Sequence, residues 1–186
     1  MTASRVLYVV ACAAPPSEHV DRAVRNGLDA GFTVCVIATP SALQFIGDPE
    51  PLEELSGHPV YSRLDPGAPA GRPPAHALLA CPLTFNTLNK WATGVNDNLA
   101  VGVLNEALGL GTPVTAVPWI NGHLARHPAI PSHIDLLRAA GVTFTSGLGH
   151  PSSRHPEPNA RPVEYPWGEV EAHIHRMFDL VTARST

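Results

Sequence analysis

The segment from Cys81 to Leu99 holds the densest run of side chains able to grip a small polar ligand. It reads Cys-Pro-Leu-Thr-Phe-Asn-Thr-Leu-Asn-Lys-Trp-Ala-Thr-Gly-Val-Asn-Asp-Asn-Leu. Pro82 is expected to end a strand, so that Thr84, Asn86 and Thr87 offer donors and acceptors at a helix start. Asn86 can both give and accept hydrogen bonds, which suits an edge that alternates C=O and N–H, such as an isoalloxazine ring. An N-cap followed by an Asn-rich turn is the plainer role for the same residues.

Two smaller clusters lie upstream. Ala11-Cys12-Ala13-Ala14 has side chains small enough for a ligand to approach the backbone, and Ser17 is expected to N-cap the helix that follows. Thr39-Pro40-Ser41 places two hydroxyls around a proline at another helix start. Free N–H groups and the positive dipole end of a helix can receive a phosphate with no lysine present. N-capping alone also accounts for Ser41. No Walker lysine and no GxGxxG follow the first apolar run, which argues against a P-loop and a dinucleotide fingerprint.

These clusters need a frame, and the hydropathy pattern supplies one. Apolar, β-branched runs at 5–10, 33–38, 76–81, 113–117 and 142–145 read as strands buried on both faces. Between them, helical spacing appears in Val20, Ala23, Val24 and Leu28 (closed by Gly31), at 42–46, over 84–109 with a break at 94–97, and over 132–140. A last amphipathic helix is expected over 168–183. Alternating strands and helices predict an α/β fold, a three-layer αβα arrangement with a Rossmann/flavodoxin-like parallel sheet and helices on both faces. Ligands in such sheets bind beyond the carboxyl ends of the strands, where all three clusters fall.

Composition narrows the classes. With 186 residues, one domain spanning 1–186 is expected. Twelve Lys+Arg against 16 Asp+Glu gives a net charge of −4 and leaves no basic run for nucleic acid. No apolar run has the ~20 residues of a membrane helix. Arg5 ahead of a short apolar stretch imitates a weak secretory leader, but the stretch is too short and reads as the first strand. Cys12, Cys35 and Cys81 are odd in number and sit in apolar runs, so reduced thiols and a cytoplasmic location are expected. The histidines show no metal-ligand spacing, and no metal is expected.

As a block, residues 82–99 resemble the hallmark of the homo-oligomeric flavin-containing cysteine decarboxylases, the family of phosphopantothenoylcysteine and lantibiotic peptidyl-cysteine decarboxylases. The pattern P-x-[ST]-A-N-T, x-x-K, x-x-x-G, D-[ND]-L is met by Pro82, Thr84, Asn86, Thr87, Lys90, Gly94, Asp97, Asn98 and Leu99. A second pattern, T-x-[ST]-A-x-x-F, is met by Thr39, Ser41, Ala42 and Phe45. The resemblance implies FMN as cofactor, with Thr39 and Ser41 near its phosphate and Thr84, Asn86 and Thr87 near the flavin. Cys12 and Ala13 stand where the family has Gly-Ser, so a phosphate contact there would come from backbone N–H groups. The resemblance also implies a homo-oligomer built of trimers, with residues 98–108 a candidate packing helix.

The chain departs from that family at its catalytic positions. A histidine is expected about fourteen residues before Pro82, where Ala68 stands; His58 lies too early, and His76 reads as a residue at the sheet's edge or end. The substrate motif P-x-M-N-x-x-M-W keeps Pro118 and Asn121 but loses both methionines and the tryptophan. Asn121 therefore remains a substrate anchor, Trp119 and His123 are new groups beside it, and His123 is the other catalytic candidate or simply a solvated loop histidine. The cysteine of the family's flap is missing from 146–167, a proline-rich stretch that is either a lid or a disordered connection. Twelve of the 20 prolines fall in 49–74 and 151–166, the two places where the pattern is lost. Three functions stay open: a flavin-dependent enzyme, a decarboxylase or oxidoreductase acting on a small carboxylate or thiol; a non-catalytic FMN-binding protein working through partners; and, last, a flavin prenyltransferase-like protein.

Overall fold

Five parallel strands form the sheet, in the order Thr33–Ala38, Val6–Ala11, Ala77–Leu83, Val114–Pro118, Thr143–Phe144. The computed structural model describes residues 4–63, 72–147, 149–150 and 164–184. Along the chain, β1 (Val6–Ala11), α1 (Val20–Asp29), β2 (Thr33–Ala38), α2 (Leu43–Ile46) and α3 (Glu50–Ser56) precede the central strand β3 (Ala77–Leu83). Then come α4 (Phe85–Ala92), α5 (Leu99–Leu110), β4 (Val114–Pro118), β5 (Ile120–Asn121), α6 (Gly122–Ala125) and α7 (Ala129–Ala139). The chain closes with β6 (Thr143–Phe144), β7 (Gly149–His150) and α8 (Trp167–Ala183). The fold is the expected three-layer α/β one, of the flavodoxin-like strand order.

The strands are apolar along their length because both faces are covered. Val6, Tyr8, Val10 and Cys12 face one layer, where Leu88 and Trp91 of α4, much of α5, and Ile130, Ile134 and Leu137 of α7 pack. Leu7, Val9 and Ala11 face the other, against α1 and the apolar stripe Val170, Ile174, Met177 and Val181 of α8. α5 is apolar nearly all round, and most of that surface is already buried within this chain; Leu110, at its end, is 73% exposed.

Three local expectations need correction. Ser17 does not cap α1: residues Pro15–His19 form a 3-10 turn first, and the fully buried Ser17 hydroxyl donates to the Cys12 carbonyl at 2.7 Å. Two consecutive prolines favour that tight turn, which leaves the serine inside it. Pro82 does not end its strand either. β3 runs on to Leu83 through an irregular register against β4, and the Pro82 carbonyl still accepts from Cys12 N–H at 3.1 Å. A proline lacks only the donor of a ladder pair, so a bulged strand can pass through it. α7 begins three residues before the expected 132, at Ala129, because Pro131 fits its first turn.

The 60–61 region contributes a single parallel bridge, Tyr61 to Ile37 on β2. Two expectations fall outside the described residues: the position of Ala68 and most of the 146–167 flap. The described ends of that flap are tied down. Ser146 donates to Glu169 of α8 through its N–H at 2.8 Å and its hydroxyl at 2.6 Å, and the β7 backbone pairs with β5.

Candidate functional site

In a 2-1-3-4-5 parallel sheet the chain reverses its winding between β1 and β3, and the loops leaving those strands part to form a crevice. A cleft of about 600 Å³ opens at that place, within the range of about 300–1,000 Å³ common for small-molecule sites. The exits of β1, β2, β3 and β4 all contribute to it.

The β1 exit supplies Ala13, Ala14 and Pro15 as floor and edge. Its shape is set from beneath. Ser17 N–H bonds the Ala14 carbonyl at 2.9 Å while the Ser17 hydroxyl holds the Cys12 carbonyl, so the tight turn is fixed by a buried residue that never touches the cleft. Cys12 itself is fully buried behind the floor and does not line the cleft. Burial pushes its thiol up, against hydrogen bonds from Thr87 and Thr84 that act the other way. It is a neutral packing group.

From the β2 exit come Thr39, Pro40 and Ser41. Thr39, and not Ser41, caps the turn: its Oγ1 accepts from the Ala42 N–H at 3.2 Å, which leaves the hydroxyl proton to be donated. Ser41 is exposed at the cleft edge. Phe45, half-buried on α2, lies outside the cleft lining.

The β3 exit and the first turn of α4 bring Thr84, Phe85, Asn86 and Thr87 to the opposite wall. Thr84 occupies the N-cap position in extended conformation, yet no side chain caps the helix. Its hydroxyl donates instead to Thr87 Oγ1 at 3.3 Å. The first-turn N–H groups of α4 are therefore left for a ligand. Asn86 is exposed and has no side-chain hydrogen bond among the described residues, so both halves of its carboxamide are available. Pro82 lies buried in the strand behind this wall.

Lys90 bonds the Asp97 carboxylate, and the second Asp97 oxygen accepts from Asn98 Nδ2 at 2.8 Å. Asn98 Oδ1 in turn caps α5 by accepting from Val101 N–H at 3.1 Å. This chain of contacts spans the break between α4 and α5, and all three side chains line the cleft. They belong to the middle and end of the Cys81–Leu99 run and have a structural role: they pin the start of α5 beside the ligand wall.

The β4 exit adds Trp119, Ile120, Asn121 and Leu124. Asn121 Oδ1 accepts from His123 N–H at 2.9 Å at the start of α6. His123 lies just outside the lining, with its Nδ1 2.9 Å from Arg126 Nη2. Of the residues singled out from sequence, Ala13, Thr39, Ser41, Thr84, Asn86, Thr87 and Asn121 are brought together here. Cys12, Phe45, Pro82 and His123 are not. The aromatic brace behind Trp119 was not foreseen: Tyr165 meets Trp119 at 5.2 Å between ring centroids, and Trp167 lies 4.7 Å beyond. The Tyr165 hydroxyl sits 3.1 Å from Cys81 Sγ, buried and held neutral by that burial and the neighbouring thiol. Only the aromatic spelling Glu-Tyr-Pro-Trp at the close of the proline-rich stretch hinted at it.

His76 stands at the far end of the sheet. Its N–H bonds the Val6 carbonyl at 2.8 Å and its Nδ1 accepts from Val6 N–H at 3.1 Å. His58 follows α3, its backbone tied to the Ser56 hydroxyl. Neither lines the cleft.

The model of the Flavoprotein family matches residues 6–182. Among curated proteins, the coenzyme A biosynthesis bifunctional protein CoaBC of Bacillus subtilis is 31% identical over 124 residues, covering 63% of this chain and 30% of the relative. The CoaBC of Mycobacterium tuberculosis is 32% identical over 125 residues, 64% of this chain and 29% of the relative. The chain thus spans under a third of the curated relatives it matches. Among solved structures, the FMN-dependent cysteine decarboxylase SpaF aligns with a TM-score of 0.72 at 20% identity, over 97% of this chain and 98% of that one. A PPC decarboxylase mutant complexed with pantothenoylaminoethenethiol gives 0.74 at 19% identity, over 95% and 99%. AnUbiX (PadA1) in complex with FMN and dimethylallyl pyrophosphate gives 0.68 at 17% identity, over 97% and 95%.

Proposed function

Because this chain belongs to the Flavoprotein family, we propose that its cleft holds FMN and uses it for redox chemistry on a small carboxylate or thiol substrate. The observation that carries this reading is the donor set at the β1–β3 switch point. Ala13 and Ala14 let a phosphate reach the backbone, and the Thr39 hydroxyl and Ser41 are its side-chain donors. Thr84, the uncommitted amide of Asn86 and the uncapped first turn of α4 match the alternating edge of an isoalloxazine. FMN, once bound, supplies reversible hydride or electron acceptance. The chain's part is to fix the ring on this wall, to exclude water with the β4-exit side chains, and to anchor the substrate through Asn121.

The reaction departs from cysteine decarboxylation in one respect. No histidine lines the cleft among the described residues, and His76 is committed to the other end of the sheet. This favours, as second reading, an FMN-binding protein that acts through partners. A flavin prenyltransferase-like role rests on fold alone. We further propose a homo-oligomer, a trimer or a multiple of trimers, in which the exposed end of α5 near Leu110 is covered, and a cytoplasmic location. Among the described residues no helix is long and apolar enough to cross a membrane.

The test is anaerobic incubation of the FMN-loaded protein with thiol and carboxylate substrates, including cysteine-terminated peptides. Bleaching of the flavin with release of an oxidised product supports the enzyme. A flavoprotein that no such substrate reduces leaves the partner-binding reading standing.

A further inference from the structure

The β4 side of the cleft differs in chemistry from the rest. Trp119 is positioned before any ligand arrives: its backbone N–H bonds the Leu83 carbonyl at 2.8 Å, and Tyr165 buttresses the indole. Tyr165 is itself held by Trp167, over which the Arg22 guanidinium lies at 4.9 Å. Phe85, facing the same space, is braced by the His127 ring at 5.6 Å between centroids. Leu124, 44% exposed, completes an apolar rim. Rigid aromatic surface of this kind binds a planar apolar group at little cost in ordering.

The polar side chain that lines the cleft beside Trp119, from the same β4 exit, is Asn121. Asn121 Oδ1 is already taken by the His123 N–H, so the amide offers a ligand its NH2, a neutral donor. That half of the amide selects an acceptor, such as a carboxylate oxygen. Charge decides the rest. Among the described residues Lys90 is the one basic side chain lining the cleft, and Asp97 neutralises it. Among the described residues, a second phosphate beyond the one carried by FMN would meet no unpaired cation in the cleft, and an unpaired charge is costly to bury.

We propose that the space between Trp119, Phe85 and Asn121 is a subsite for an unphosphorylated carboxylate that carries a planar apolar group. It rests on the FMN reading, since the cofactor forms the facing wall. The carboxylate lies at the open rim, hydrogen-bonded to Asn121 Nδ2 and partly hydrated, and the planar group packs on the indole of Trp119.

Equilibrium dialysis of the full-length, FMN-loaded protein decides it with three probes: para-hydroxyphenylacetate, its phosphate monoester, and butyrate. The hydroxyphenylacetate should bind at least about tenfold more tightly than either of the others. Trp119→Ala should remove about tenfold of that affinity, and Trp119→Phe should keep most of it. Phosphate-ester binding equal to or tighter than that of the parent acid overturns the proposal, as does equal affinity in Trp119→Ala or no binding by any probe. The ranking of the probes on the unaltered protein stands whether or not the alanine variant folds. Flavin loading is read separately by absorbance: a protein that takes up no FMN overturns the cofactor reading and the subsite with it, whereas a loaded protein that fails the ranking overturns the subsite alone.

Discussion

His76 Nδ1 accepts a hydrogen bond from the Val6 N–H at 3.1 Å, joining the residue just before β3 to the first residue of β1. The cleft lies at the other end of β3, roughly 20 Å along a strand of seven residues. The histidine nearest in sequence to the start of the hallmark run is thus a structural clip between β1 and β3.

His76→Ala should therefore cost stability and spare the flavin. Losing the acceptor leaves the Val6 N–H unpaired, for an expected loss of about 1 kcal/mol in denaturant unfolding. Flavin content and reduction should match the unaltered protein. A variant of normal stability with a dead flavin would contradict this placement.

Ser17→Ala tests the opposite case, a residue outside the cleft that shapes it. Its buried hydroxyl holds the Cys12 carbonyl, and without it that carbonyl loses a partner at a cost of about 1–2 kcal/mol. The turn carrying Ala13 and Ala14 loosens, so FMN affinity should fall together with stability. Calorimetric titration of FMN would show it; an unchanged affinity would mean that this turn does not carry the phosphate.

The Asp97 carboxyl is held below the ordinary carboxylate range, first by the hydrogen bond from Lys90, with Asn98 adding to it. A folded-state value below the unfolded one means that the stabilisation is present above the ordinary carboxylate pKa. It is lost as pH falls through the lowered value. Carbon NMR titration should find Asp97 titrating below the ordinary aspartate value, and Lys90→Met should return it toward that value. No upward movement in that variant would exclude the pairing in solution.

All three thiols are buried, and burial pushes Cys81 up to about 12 and Cys35 to about 11, with Cys12 also raised. Here the shift acts on an acid whose folded value is the higher one. The thiols' contribution is complete below about 9, the ordinary thiol value, and is lost as pH rises to about 12. Ellman's reagent at neutral pH should find no fast thiol in the native protein and three after unfolding. A rapidly reacting native cysteine would mark a nucleophile that this arrangement does not contain.

The fold was largely legible in the sequence because the strands are buried on both faces, so that runs such as Thr33–Ala38 are apolar without interruption and bounded by Gly31 and Pro40. The hydroxyl and amide residues at the strand exits could be read as a ligand wall because parallel topology sends every such exit to one end. Finer features could not be read. Whether Ser17 caps a helix or holds Cys12 depends on a 3-10 turn that two prolines impose. Trp119 and Tyr165 are 46 positions apart in sequence and meet only because α8 returns along the sheet face beneath β3. Cys12 sits in the middle of a plausible phosphate turn and yet faces the core, since strand alternation, not neighbourhood, sets its direction.

The visible absorbance spectrum of the purified protein, followed by identification of the released chromophore, tests the central claim most directly. Flavin bands are expected in the protein as isolated or after reconstitution, with release of FMN in about one equivalent per chain on denaturation and loss of that binding in Asn86→Ala. A correctly folded, colourless protein that takes up no FMN when supplied with it would contradict the account.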